Sequence, residues 1–304
     1  MYRFKRLAVG ITLGDQDEAK IRYAALISRL ASSEKIIFVH VVRPSKPPTE
    51  GTTPTPDMPD VIHTKKRMEA LITTYFDGFP KTALEYEVME DSPLIDIELL
   101  RRFKERDIDL IILGKIRGEL TGSGTVPVKV ARKVPCSVLF IPEGITPEYA
   151  HILVPTDFSD LSHDALDVAV SFAAEGNVST ITCFNTYNVP IGYYKAGKSY
   201  EEFAEIMRGH AEKKFDEFVR TVDLRGIAIS PVFRLHKNPC KAVEEYVREH
   251  YTDFIIMGAR GRKTGVRFLM GSMTEKLISS TTMPLLAVKR KGEGMSFLEA
   301  LLRL

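Results

Sequence analysis

The chain has 304 residues, a length typical of two domains, and 44% of them are hydrophobic and 27% charged. Its formal net charge is only +2, which argues against a nucleic-acid-binding or acidic-membrane-binding protein. The three cysteines lie far apart and the seven histidines form no spaced cluster, so we predict neither a disulfide framework nor a metal site.

The amino terminus carries a basic segment followed by an apolar run from Leu7 to Leu13, as the front of a signal peptide does. The run is short, and Asp15, Asp17 and Glu18 follow it without a small-residue cleavage site. We therefore predict a first β-strand here and a cytoplasmic protein. No apolar run reaches the length of a membrane span, so we expect no membrane partner.

The two halves of the sequence repeat one another. Residues 6–28 align with 151–173, residues 109–114 with 253–258, and residues 134–142 with 283–291. The three offsets of 145, 144 and 149 residues are nearly equal, and the matches keep their order. This regularity predicts a duplicated domain rather than a short-period solenoid. We place domain 1 at residues 1–143, domain 2 at 149–291 and an apolar tail at 292–304.

Within each copy, short apolar runs alternate with longer segments of helical spacing. In copy two we predict strands at 152–155, 178–184, 227–235, 254–257 and 285–288, and helices around 165–172, 203–218, 242–247 and 274–280. Strands that alternate with helices predict right-handed crossovers and an α/β fold, with a doubly wound parallel sheet in each copy. Ligands of such sheets bind beyond the carboxyl ends of the strands, where the strand order reverses.

Two further segments contain many turn-forming residues. Residues 143–148 form a short polar linker with Pro and Gly between the copies. Residues 44–60 are rich in Pro and Thr, which predicts a long excursion after the second strand of copy one rather than a domain.

A glycine-rich segment follows the fourth strand of copy two. Gly258, Gly261, Gly271 and Ser272 form the pattern G-x2-G-x9-G-S. Glycine permits close approach of the backbone to a ligand, and successive amides near a helix N-terminus bind anions. Ser272 adds a hydroxyl donor or caps the helix predicted near Thr274. The alternative is a loop that only turns the chain.

A second pattern competes for the phosphate-binding role. Residues 192–199 read G-x4-G-K-S, the P-loop pattern, with Lys198 and Ser199 at its end. A P-loop directly follows its strand, however, and here residues 188–190 intervene. A P-loop enzyme also needs a later strand that ends in a Mg²⁺-binding Asp, and we find none after Ser199. A polar loop that enters the second helix is the plainer interpretation.

The G-x2-G-x9-G-S spacing after the IIMG strand, together with residues 152–166 at the head of copy two, resembles the universal stress protein family. The resemblance covers the whole chain twice. It implies, in each copy, a Rossmann-like domain with a five-stranded parallel sheet, as in adenine nucleotide alpha hydrolase-like folds, which binds ATP in the nucleotide-binding members.

Carried over by position, the resemblance assigns six binding residues in copy two. It implies that Asp157 contacts adenosine, that the backbone of Thr186 faces adenine, and that Gly258, Gly261, Gly271 and Ser272 line ribose and phosphates. Capping of the helix near Ser159 is the alternative role of Asp157. Arg260, Arg262 and Lys263 either pair with phosphates or are solvated loop charges.

Copy one departs from this pattern. Thr12 aligns with Asp157, so the carboxylate is absent. The spacing from Gly114 to Gly122 is 8 residues, whereas that from Gly258 to Gly271 is 13. We therefore expect copy one to have lost ordinary ATP binding, so that it holds another anion or serves as a packing partner.

We find no arrangement of residues that supports covalent or acid–base catalysis. Our leading hypothesis is an ATP-binding protein with a regulatory or stress-response role, in which Asp157 would position Mg²⁺ and hydrolysis is at most slow. A ligand-free interaction scaffold is the alternative, and a P-loop NTPase is the third hypothesis. The resemblance also implies pairing of domains, either as a pseudo-dimer of the two copies or as a homodimer.

Overall fold

A computed structural model describes residues 3–42, 61–115, 126–261 and 270–290. The chain divides into two compact units, of which unit 1 includes residues 1–147 and unit 2 residues 148–293. No helix in these described ranges is both long and apolar enough to cross a membrane.

Unit 1 alternates strands and helices along the chain. Its elements are β1 (Arg6–Ile11), α1 (Asp17–Ala31), β2 (Lys35–Val42), α2 (Val61–Tyr75), β3 (Ala83–Glu90), α3 (Ile95–Glu105), β4 (Leu110–Lys115), α4 (Val126–Lys133) and β5 (Ser137–Pro142). The five strands are parallel and lie in the order β3-β2-β1-β4-β5.

Unit 2 repeats this arrangement. Its elements are β6 (Ile152–Pro155), α5 (Asp160–Glu175), β7 (Thr180–Tyr187), α6 (Tyr200–Val219), β8 (Ala228–Leu235), α7 (Pro239–Glu249), β9 (Phe254–Gly258), α8 (Ser272–Ser280) and β10 (Leu285–Val288). These strands are also parallel, in the order β8-β7-β6-β9-β10. The predicted α/β class and doubly wound parallel sheet are confirmed.

The central strands are apolar because both of their faces are covered. Every residue of β6, β9 and β10 is buried, as expected where helices pack on both sides of a parallel sheet. The helices begin at side-chain caps where the sequence supplies them. Ser159 caps α5 and Asn238 caps α7, each by accepting a backbone N–H three residues later.

The second strand of unit 2 differs from the prediction. The sequence pattern predicted a strand over 178–184, whereas β7 runs from Thr180 to Tyr187. Asn185 and Thr186 are polar and break the apolar run, but they pair with Phe233 and Arg234 of β8. The strand therefore continues because its neighbour supplies backbone partners.

The strand order reverses between β6 and β9, which are adjacent and parallel. The crossover after β6 leads toward β7, and that after β9 leads toward β10. The loops therefore diverge at this point and leave a crevice beyond the strand ends.

Candidate functional site

A cleft of about 570 Å³ lies beyond the carboxyl ends of β6, β7 and β9 in unit 2. All six residues that the sequence singled out line it, namely Asp157, Thr186, Gly258, Gly261, Gly271 and Ser272. They come from four separate loops or strand ends, which the doubly wound sheet brings to one edge. The volume lies within the range of about 300–1,000 Å³ that is usual for small-molecule sites.

Asp157 lies in the turn between β6 and α5. Its Oδ1 accepts hydrogen bonds from the backbone N–H of Ser159 at 3.1 Å and from the hydroxyl of Ser162 at 2.9 Å. The residue is nevertheless exposed to the cleft. The local capping role considered from the sequence is therefore real for Oδ1. It also fixes the direction of the carboxylate, so that Oδ2 lies toward Gly261.

At the end of β7, the backbone N–H and carbonyl of Thr186 face the cleft. The carbonyl of Phe184 accepts from the N–H of Thr156 at 2.9 Å, so Phe184 faces the β6 side of the strand. Backbone groups two residues apart in a strand point to the same side, so Thr186 faces that side too. Because β6 ends at Pro155, the N–H and carbonyl of Thr186 point into the cleft rather than to a neighbouring strand.

The three glycines are required by close approaches. A Cβ on Gly258 would lie 2.9 Å from the backbone of Leu161 at the start of α5, so this glycine lets β9 and α5 pack. A Cβ on Gly271 would lie 3.2 Å from the Cα of Arg260. A Cβ on Gly261 would lie 2.7 Å from Oδ2 of Asp157, inside the cleft itself.

The start of α8 corrects one sequence prediction. The helix begins at Ser272, two residues before the predicted start near Thr274, and its N-cap is Gly271. Gly271 has no side chain with which to cap it, so of the two roles considered for Ser272 the capping role is wrong and that of hydroxyl donor stays a prediction. The reason is that Ser272 already has helical geometry. The first-turn amides of α8 consequently lack an intrahelical partner at a helix end that borders the cleft.

One wall of the cleft was not foreseen from the sequence. Met207, His210, Ala211 and Lys214 line it from α6, at the spacing of one helical face. The helical spacing predicted for residues 203–218 did not distinguish His210 from the apolar residues around it. His210 and Lys214 are in fact exposed and add positive or hydrogen-bonding groups to the cleft. The sequence signal was a pair of basic side chains four residues apart.

The segment 192–199 adopts no phosphate-binding arrangement. It forms a short 3-10 turn, Tyr193–Ala196, after which Ser199 caps α6 in a reciprocal capping box with Glu202. The Ser199 hydroxyl accepts from the N–H of Glu202 at 3.1 Å. The Glu202 carboxylate then occupies the helix N-terminus that a phosphate would need. The polar-loop interpretation fits this geometry.

The equivalent turn of unit 1 is filled by its own side chains. Lys20 and Asp17 form an ion pair of 2.6 Å and are only 1% and 0% exposed. Asp17 also accepts hydrogen bonds from the N–H and hydroxyl of Thr12. A Cβ on Gly114, the counterpart of Gly258, would lie 2.7 Å from Gln16 Oε1 and 3.5 Å from Lys20 Nζ.

Several sequence predictions fall outside the described residues. These are the excursion at 44–60, the shortened loop of copy one with Gly118, Gly122 and Ser123, the middle of the glycine-rich segment with Arg262 and Lys263, and the apolar tail at 292–304. Of the three basic residues named in the glycine-rich segment, Arg260 lines the cleft.

The model of the Universal stress protein family matches residues 3–142 and again residues 148–289. The chain therefore belongs to the universal stress protein family and contains two of its domains in tandem.

Individual relatives agree with this assignment. Universal stress protein MJ0531 of Methanocaldococcus jannaschii is 28% identical over 143 residues, which cover 47% of this chain and 83% of that protein. A solved universal stress protein from Archaeoglobus fulgidus has a TM-score of 0.61 at 15% identity and covers 94% of this chain and 98% of its own. The protein PA1789 from Pseudomonas aeruginosa, described as functionally unknown, has a TM-score of 0.67 at 12% identity, with coverages of 99% and 97%. These two structures share the tandem fold.

Proposed function

We propose that unit 2 binds an adenine nucleotide, ATP, and that the protein acts as a nucleotide-responsive stress or regulatory protein. The observation that carries this proposal is the convergence of the Asp157 carboxylate, the Thr186 backbone and the glycines at 258, 261 and 271 on one cleft. Each of these groups suits a different part of a nucleotide.

The apolar part of the cleft suits the base. Phe184, Val243 and Met257 line it, and the free backbone edge of Thr186 offers one donor and one acceptor. Adenine presents the complementary acceptor and donor on its Watson–Crick edge. A concave site lined by apolar side chains with a few fixed polar groups is the usual character of a cofactor site.

Other groups that line the cleft suit the sugar and phosphates. The Asp157 carboxylate is an acceptor for ribose hydroxyl groups, and the first-turn amides of α8 are donors for phosphate oxygens. Arg260 and Lys214 add positive charge beside them. Mg²⁺ bound to the phosphates would find one carboxylate here, that of Asp157, as is usual for this ion in nucleotide sites.

Titration calorimetry with ATP, ADP and AMP tests the proposal. We expect wild-type protein to bind ATP and Gly261→Val to lose at least about 100-fold in affinity, since the new side chain displaces the Asp157 carboxylate that two hydrogen bonds hold in place. Gly209→Val is the matched control, because Gly209 lies on α6 with open space around its Cα. Absence of ATP binding to wild-type protein would refute the proposal.

The remaining predictions about function also stay proposals. Because the sequence contains no arrangement typical of covalent or acid–base catalysis, we propose that ATP is held rather than rapidly hydrolysed. Rapid turnover that Asp157→Ala abolishes would contradict this. If the P-loop hypothesis held instead, Lys198→Ala would abolish binding. Cytoplasmic location and pairing of domains are likewise proposals, testable by fractionation and by light scattering.

A further inference from the structure

A second cleft of about 540 Å³ adjoins the nucleotide cleft in unit 2. The two clefts share exactly two lining residues in their described parts, Phe158 and Lys214. We propose that the second cleft is a subsite for a neutral aromatic group linked through phosphates to the bound nucleotide, so that unit 2 accommodates a dinucleoside polyphosphate. This inference rests on the function proposed above.

The charge of the second cleft argues against a polyanion as its occupant. Asp160 and Glu217 line it and contribute two carboxylates. Its other strong cation besides Lys214 is Arg290, whose Nε is already paired with Asp164 at 2.5 Å. The His163 ring nitrogen Nε2 is 3.0 Å from the carbonyl of Thr221 and is engaged there. A phosphate chain placed here would face uncompensated carboxylates.

The same groups suit a nucleobase with its sugar. Phe158 is partly exposed at the cleft and packs at an angle of 61° on the buried Phe218, with the ring centroids 5.5 Å apart. Phe218 thus supports the Phe158 ring, which is the aromatic surface that a base would contact. The carboxylates of Asp160 and Glu217 are acceptors for an exocyclic amino group or for ribose hydroxyl groups. Both are surface residues, so neither needs to be desolvated before a ligand arrives.

Lys214 lies where the connecting phosphates would pass. It lines both clefts, it is exposed, and it has no ion-pair partner among the residues that the structure describes. An ammonium on a flexible stem neutralises a phosphate without demanding a fixed geometry. Among the described lining residues, Lys214 at the junction is the available cation, and Arg290 in the second cleft is already paired. This is the charge pattern that a phosphate-linked pair of nucleosides requires.

Phe158 separates the two clefts because of its backbone conformation. Its φ is +61°, and its N–H donates to the Thr156 hydroxyl at 3.0 Å. Leu13, at the equivalent position of unit 1, has φ +58°. The turn is thus common to both units and tolerates either side chain. Phe158→Leu is therefore a variant that is expected to fold while it removes the aromatic ring.

Calorimetry with diadenosine tetraphosphate and with ATP tests the inference. We expect one diadenosine tetraphosphate per chain, bound at least about tenfold more tightly than ATP, because the second nucleoside gains from its linkage to the first. Phe158→Leu and Phe218→Leu should remove most of this advantage, and urea unfolding would verify that both variants fold. Lys214→Met should weaken both ligands, Lys214→Arg should restore them, and Lys213→Met, on the same helix but outside both clefts, is the control.

The possible outcomes separate the two proposals. If ATP does not bind, the function proposed above fails and this inference fails with it. If ATP binds and diadenosine tetraphosphate binds no more tightly, or keeps its advantage in both phenylalanine variants, only the subsite is refuted. If adenosine binds to ATP-saturated protein while the linked ligand has no advantage, the cleft takes a separate molecule and the proposed linkage is wrong.

Discussion

Each unit has a turn between its first strand and first helix, β1 to α1 in unit 1 and β6 to α5 in unit 2. The two turns share a left-handed residue, but the carboxylate is buried in one and exposed in the other. Leu13 and Phe158 both have a left-handed conformation at the equivalent position. In unit 1 the carboxylate is Asp17, fully buried against Lys20. In unit 2 it is Asp157, which is exposed to the cleft and fixed by Ser162.

This difference places an exposed carboxylate at the cleft of unit 2 and a buried ion pair at the corresponding turn of unit 1. The Lys20 Nζ donates to the carbonyl of Gly10 at 2.5 Å and pairs with Asp17. Burial lowers the pKa of the Lys20 ammonium, and the adjacent Asp17 carboxylate opposes that shift. Unit 1 thus pairs its carboxylate with a buried ammonium, whereas the Asp157 carboxylate of unit 2 is exposed at the cleft.

The largest expected effect concerns the stability of unit 1. Asp17→Ala leaves the Lys20 ammonium buried without its partner and removes the acceptor for Thr12, so we expect a loss of about 3–5 kcal/mol. The matched change in unit 2 is Ser162→Ala, which removes a hydroxyl that donates to the exposed Asp157 carboxylate and accepts from the Asp157 N–H and the Ser159 hydroxyl. It should cost about 1–2 kcal/mol, because no charge is left buried without a partner. Urea unfolding followed by circular dichroism measures both.

Hydrogen exchange then locates each loss, because a chain with two domains need not unfold in one step. The double variant Asp17→Ala/Lys20→Met should recover much of the stability, since it removes both buried charges. If Asp17→Ala and Ser162→Ala lowered the free energy of unfolding equally, the buried pair of Asp17 and Lys20 would not stabilise its turn more than the hydrogen bonds of Ser162 stabilise theirs.

The second effect is the difference between the two units in their stabilisation by bound ATP. At an ATP concentration 100 times the dissociation constant, we expect unit 2 to be stabilised by about 2.7 kcal/mol and unit 1 to be unchanged. Hydrogen exchange with and without ATP measures this, and calorimetry should give one ATP per chain. Two ATP per chain, with protection of α1, would contradict the comparison.

A smaller effect is expected from making unit 2 resemble unit 1. Asp157→Thr introduces the residue that unit 1 has at the equivalent position, Thr12. It should weaken ATP binding about 10- to 30-fold, because one charged hydrogen-bond acceptor is lost. Asp223→Asn, at an exposed turn outside the cleft, is the control. Unchanged affinity in Asp157→Thr would mean that the carboxylate only caps α5.

The smallest expected effect concerns the thiols, which are alike in the two units. Cys136 of unit 1 and Cys183 of unit 2 are both 1% exposed. Burial raises the pKa of Cys183 from 9.0 to about 12, so the native state keeps this proton more firmly than the unfolded state does. Its contribution to stability is therefore complete below pH 9 and is lost as the pH rises from 9 to 12.

A chromogenic disulfide reagent at pH 8 tests the state of these thiols. Neither Cys136 nor Cys183 should react in the native protein, and both should react in urea, because only the thiolate attacks the reagent. Rapid reaction of Cys183 in the native state would show that β7 is accessible to solvent.

The sequence by itself determined the duplicated α/β fold and the residues of the candidate cleft that lie at strand ends. Apolar runs fix β6, β9 and β10 because a strand covered on both faces must be apolar throughout. Gly258 and Gly261 were predictable because the position of a loop after a parallel strand dictates its place at one edge of the sheet. The resemblance to the family supplied Asp157.

Only the tertiary structure decided which other elements surround those residues. Three features depend on partners at least 29 residues away in the sequence. They are the α6 wall with His210 and Lys214, the second cleft beside Phe158, and the continuation of β7 through Asn185 and Thr186. The buried pair of Lys20 and Asp17 looked like two ordinary helix charges in the sequence. The spacing of residues along the sequence shows which side chains lie on the same face of a helix. Whether that face is buried, and whether its charges are paired, depends on what packs against it.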